Sequence, residues 1–140
     1  MKIHWSFWVI CIAGLLWNAG GAANYLMQTN AEFVAGLPES HRAIIHNRPI
    51  WATGGFAIGV FGGAIGCLLL LFRNSLAVHV LAVSLVGIAV TIIHTILVVV
   101  SPVVFSAAEV VIMVVLPALV ALFLMWYSLH AVTRYQFRNT

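Results

Sequence analysis

Charge is what this chain of 140 residues lacks. It has six Lys and Arg and three acidic side chains, 6% of the sequence against 64% hydrophobic. A soluble domain carries about 25% charged residues, so soluble globular, disordered and coiled-coil architectures are excluded. A nucleic-acid module is excluded too, despite a pI near 9.3, because six cations are too few for a phosphate-tracking patch. Cysteine is equally scarce. Cys11 and Cys67 both fall inside apolar runs, without a C-x-x-C or a histidine at ligand spacing, and read as small hydrophobes. No nucleophile elbow, Walker loop, H-E-x-x-H or carboxylate pair is present. The sequence therefore predicts no enzyme, no metal and no cofactor. What is abundant is long apolar runs, and these point to a lipid bilayer as the solvent.

A crossing needs roughly 20 mostly apolar residues. Four runs qualify, at about 5–27, 51–72, 77–100 and 104–130, which predicts an all-α, four-transmembrane-helix bundle forming a single domain. Lys2, the apolar run after it and Gly21-Ala22-Ala23 imitate a signal peptide, but Trp17-Asn18 interrupts the run, and a retained helix is expected. The one sizeable loop is 28–50. Within it, Thr29-Asn30-Ala31-Glu32 resembles a capping box, Gly36 a stop, Pro38-Glu39 a start and Pro49 a second stop. Two short helices are expected across one mouth of the bundle, with Phe33, Val34, Leu37, Ile44 and Ile45 turned inward. Arg73-Asn74-Ser75 and Ser101-Pro102-Val103 are expected to be tight turns. Lys2, Arg73, Arg134 and Arg138 on one side outnumber Arg42 and Arg48 on the other, which Glu32 and Glu39 partly offset. Cytoplasmic loops carry the excess of Lys and Arg, so both termini are expected in the cytoplasm. Trp5, Trp8, Trp126 and Tyr127 would form one aromatic belt, Tyr25 and Trp51 the other.

Small residues let membrane helices approach closely. Gly55, Gly59, Gly62, Gly63 and Gly66 of the second run share an arc of about 100° on a helical wheel, and Gly14, Asn18, Gly21 and Tyr25 of the first run form a stripe at i, i+4, i+7, i+11. The first two spans are therefore expected to pack along these stripes. Ser84, Gly87, Thr91 and Thr95 form a small or polar stripe on the third run, flanked by His94. Intramembrane ionisable residues are site hypotheses by default. His94 and Glu109 lie at similar distances from the Ser101-Pro102 turn, and are expected at one depth. There they form either a hydrogen-bonded lock between the last two helices or a proton-active pair, unless Glu109 simply faces the headgroups. Asn18 and Pro117 would extend a polar, kinked axis. His4, His79 and His130 lie near the termini side without the shared depth that a bis-histidine haem needs. His41 and His46 fall on different helix faces.

Trp17-Asn18, Asn24-Tyr25-x-Met27-x-Thr29, Pro49-x-Trp51 and the run Ala57-Ile58-Gly59-Val60-Phe61-Gly62-Gly63 through Leu68-Leu69-Leu70 and Arg73 resemble one group. It is the small four-helix inner-membrane proteins widespread in proteobacteria, some of which carry a sugar-transporter label. Ser84-Leu85-x-Gly87 and Trp126-Tyr127 extend the similarity over most of the chain. Where this chain has Asn24, the group often has an acidic residue. The resemblance implies the four-helix architecture and a bacterial inner membrane. Two functions are in view. One is a non-catalytic accessory or structural subunit that packs against other membrane proteins or a second copy of itself. The other is a small-solute or proton-coupled transporter, which four spans would support only as an oligomer.

Overall fold

The computed structural model describes residues 3–100 and 105–137. Its elements, in chain order, are α1 (Trp5–Met27), α2 (Ala31–Ala35), α3 (Glu39–His46), α4 (Ile50–Leu71), α5 (Leu76–Val99), α6 (Ala107–Val110), a π-helical turn (Val111–Val115) and α7 (Leu116–Tyr135). The first, second and third spans are α1, α4 and α5, and α6 to α7 run on as a fourth, Ala107–Tyr135. All four are long and apolar enough to cross a membrane, and no strand occurs among the described residues. The protein is an all-α four-helix bundle, the make-up of a multi-pass membrane protein. The expected Ser101-Pro102-Val103 turn, Lys2 and Arg138 lie outside the described residues.

Local chemistry sets the boundaries. Asn30, rather than Thr29, caps α2, its side chain accepting from the N–H groups of Glu32 and Phe33. Gly36 ends α2 and Pro38 precedes α3. Pro49 is a start and not a stop, standing at the cap of α4, since a missing N–H is harmless at a helix's first turn. Val34 and Ile44 are 5% and 7% exposed, and Phe33, Leu37 and Ile45 are half-buried, so the loop helices do lay their apolar faces on the bundle. The tight turn after α4 is a Schellman motif. Arg73 takes a left-handed φ of 57°, with its N–H bonded to Leu70 O and that of Asn74 to Leu69 O.

The fourth span begins at Ala107, later than expected, because Ser106 and Glu109 close a reciprocal capping box. It runs on past residue 130 to Tyr135. The π turn sits immediately before Pro117. In a regular helix the proline ring would collide with the carbonyl of Met113, four residues back, and leave it without a donor. A wider turn at this point relieves both problems.

The glycine stripe of α4 turns toward α5 and not mainly toward α1. A Cβ on Gly55 would lie 2.7 Å from Val90 Cγ1, one on Gly59 2.6 Å from Ile88 Cδ1 and one on Gly66 2.6 Å from Leu81 Cδ2. Gly87 meets backbone rather than side chain, with a Cβ there 2.6 Å from Gly55 O and 2.7 Å from Gly59 N. Ser84 Oγ donates to Gly59 O across the seam at 2.6 Å. The backbone-to-backbone contact thus joins the second and third spans; the first span does pack on the second along its expected stripe, but with side chains between the two backbones. The short turn between α4 and α5 forces these two antiparallel helices together, and α5 brings its own small residues at matching spacing. Of the α4 stripe, Gly63 faces α1, against Asn18. Gly21 and Gly14 of α1 serve instead as notches for side chains, Val60 in the first and Leu124 with Cys67 in the second.

Candidate functional site

Spans one and four close the ring at one end only. Near the termini, Phe7 is fully buried among Tyr127, Tyr135 and Phe137, with ring centroids 5.6 to 6.4 Å apart. Tyr127 therefore belongs to this plug and not to an aromatic belt, whereas Trp5, Trp8 and Trp126 do stay exposed at this end. The free thiols Cys11 and Cys67 are buried in the same core. At Gly14, the side chains of Leu124 and Cys67 complete the closure. Toward the loop end α1 and the fourth span diverge, and a cleft of about 510 Å³ opens between them.

Leu16, Trp17, Phe56, Val60, Ile88 and Ile112 supply its apolar walls. Leu16 and Ile112, at its lips, are 67% and 61% exposed, so the cleft opens sideways into the region that lipid occupies. From Gln28 down to Asn18 along α1 is ten residues, about 15 Å at 1.5 Å per residue, or roughly half of a 30 Å hydrocarbon core. Its deep polar groups are satisfied within their own helices. Asn18 Nδ2 donates to Gly14 O at 2.8 Å, Thr91 Oγ1 to Gly87 O at 3.0 Å and Thr95 Oγ1 to Thr91 O at 3.0 Å. Below them a void of about 10 Å³ lies beside Asn18, Gly63 and Ser84. Met113 of the π turn and Pro117 just after it line the cleft wall, as does Asn18.

At the mouth stand Asn24, Gln28, His41 and Arg48. Arg48 Nη1 donates to Gln28 Oε1 at 2.8 Å, its guanidinium lies 5.0 Å over the Phe56 ring, and its Nε is buried without a partner among the described residues. Burial lowers its pKa from the ordinary value, against the pull of Tyr25, yet a guanidinium remains charged throughout the physiological range. Among the described residues it is the only Lys or Arg side chain lining the cleft, and no carboxylate of theirs lines it.

His94 and Glu109 are not paired. His94, 4% exposed, meets the carbonyl of Asn47 through Nε2 at 3.1 Å and stands edge-on to Trp51, their ring centroids 5.9 Å apart. A carbonyl only accepts, so Nε2 carries the proton, and Nδ1 is left buried without a partner among the described residues. His94 thus ties the entry of α4 to α5. Glu109 sits in the first turn of its span, where Ser106 N and Oγ both donate to Oε2 at 2.8 Å. Its Oε1 accepts from Ser40 Oγ and lies 3.9 Å from His41 Nδ1. The carboxylate clasps α3 to the fourth span at the membrane boundary, and its capping role, Ser106-Ala107-Ala108-Glu109, was legible in the sequence as an S-x-x-E box. The cluster of Ser40, His41 and Glu109 is not a catalytic triad. In a triad the nucleophile and the carboxylate take opposite nitrogens of the imidazole, whereas here Ser40 and Glu109 both approach Nδ1.

Of the other histidines, His4 and His130 line one groove at the termini end. His4 caps α1 by accepting from Ser6 N, and His130 stacks on Trp126. Among the described residues no three His, Cys, Asp or Glu side chains gather to hold a metal ion. The residue that sequence reasoning missed as a site is Arg48, whose position after α3 and before Pro49 gave no sign that it turns into the bundle. No protein-family model, curated protein or solved structure matches the chain.

Proposed function

We propose that this chain is a non-catalytic accessory protein of a bacterial inner membrane, its termini cytoplasmic, that works by binding. Its cleft seats a membrane-borne amphiphile, while its lipid-facing surfaces lie against other membrane proteins or a second copy of itself. The observation that carries this reading is the cleft's form. It is one leaflet deep, open at the side, apolar along its walls and polar at its mouth. Its volume falls within the roughly 300–1,000 Å³ of ordinary ligand sites. Purification in mild detergent followed by mass spectrometry of the intact complex tests it. We expect a stoichiometric amphiphile retained by the wild type and lost from Gly20→Leu. Gly20 lines the cleft, and a Cβ there meets no atom within 4 Å, so the new side chain takes up part of the cleft without disturbing the bundle. Equal retention by both proteins, or none by either, removes the reading.

A small-solute transporter acting as an oligomer is the second reading, favoured by Asn18, Thr91 and Thr95 on the cleft wall below Asn24 at the mouth. It requires the seal at Gly14, Leu124 and Phe7 to open, and solute flux in proteoliposomes is its test.

A further inference from the structure

Resting on that binding reading, we infer that the cleft selects an amphiphile with an anionic head, a carboxylate or phosphate held by Arg48 at the mouth, its tail leaving between Leu16 and Ile112. Three observations converge on it. The first is charge. Among the described residues Arg48 is the cleft's only Lys or Arg, His41 is its only other ionisable group, and no acid lines it. Glu109, the carboxylate nearest His41, is occupied by Ser40 and Ser106, and Glu32 and Glu39 are exposed on the loop helices.

The second is the use Arg48 makes of its donors. Nη1 is committed to Gln28, while Nε has no acceptor among the described residues. The edge formed by Nε and Nη2 is the one that grips carboxylate or phosphate with two parallel hydrogen bonds. Gln28 on one side and the Phe56 ring on the other hold the guanidinium plane at the mouth. A buried donor without an acceptor is unfavourable, and a head group inserted beside Phe56 supplies the acceptor. Asn24 adds an uncharged amide next to it. Basic pockets between membrane helices are a recurrent form of lipid head-group site.

The third is register. Arg48 and Gln28 stand at the head-group level, and the apolar walls run from there to mid-membrane. A lipid of that leaflet therefore enters through the side opening with its head already at the depth of the guanidinium. A water-borne anion gains nothing from these walls.

The experiment presents the detergent-solubilised full chain with phosphatidylglycerol, phosphatidylcholine or diacylglycerol of identical acyl chains. Bound lipid is counted by native mass spectrometry. We expect phosphatidylglycerol to be retained about tenfold over diacylglycerol, which lacks the phosphate, the scale of one charge-assisted bidentate pair, with phosphatidylcholine between them because its choline cation offsets the charge its phosphodiester presents. Arg48→Gln should bring the ratio near one. Arg48→Lys, which keeps the charge but not the fork, should fall between, and it carries the test if Arg48→Gln does not fold. Arg42→Gln, in a separate groove beside Gln28, should leave the ratio unchanged. Millimolar inorganic phosphate should not displace the lipid; displacement would make the ligand a free anion and overturn the assignment. Equal binding of all three lipids, abolished by Gly20→Leu, would sink the head-group inference and leave the cleft reading standing. No lipid binding at all would remove both.

Discussion

Two interfaces of this bundle lie side by side and are built by opposite means. Between the second and third spans, Gly55, Gly59 and Gly87 bring backbone against backbone and Ser84 bridges them. Between the first and fourth, contact is confined to the termini end, and the helices then part to leave the cleft. The difference shows where packing energy in lipid comes from. With no hydrophobic gain in pairing helices, cohesion follows close approach and hydrogen bonds across the seam. A helix pair with bulky faces and no short connector stays apart, and the space it leaves becomes available for a ligand.

The comparison breaks most readily at the aromatic plug. Phe7→Ala removes the ring around which Tyr127, Tyr135 and Phe137 gather. It should cost about 3 kcal/mol, the low end for a buried phenylalanine, read from unfolding in mixed detergent. An unchanged unfolding midpoint would mean that spans one and four are not held at that end. Next is Gly87→Ala, whose methyl group would meet the backbone of Gly55 and Gly59. Backbone cannot swing aside as a side chain can, so a loss of about 1–3 kcal/mol is expected. Stability equal to wild type would place the seam elsewhere. The smallest effect has the opposite sign. A Cβ on Gly54 meets nothing within 4 Å, so Gly54→Ala should gain about 0.5 kcal/mol from helix propensity alone. A loss there would show a close contact on a face that the bundle leaves open.

Much of the fold was legible because its causes are local. A run of some 20 apolar residues specifies a span whatever its neighbours are, and Asn30, Gly36 and Pro38 specify helix ends through hydrogen bonds within a few residues. The site was less so. Asn18 was singled out and lies on the cleft wall. His94 and Glu109, chosen for equal distance from a turn, went to different partners because rotation about the helix axis decides who meets whom. The S-x-x-E pattern at Ser106 was a signal for the true place of Glu109.

By itself, then, the sequence determined four helices long and apolar enough to cross a membrane, the loop helices and a set of small-residue stripes, since hydropathy and capping act over one or two turns. Only the tertiary structure decided that the glycines of α4 meet α5, that Glu109 clasps α3, and that Arg48 faces a cleft opened by the divergence of α1 from the fourth span. Those outcomes depend on which helix lies beside which and how far it is turned, a choice made by the short α4–α5 connection and by side-chain volume summed over the whole bundle.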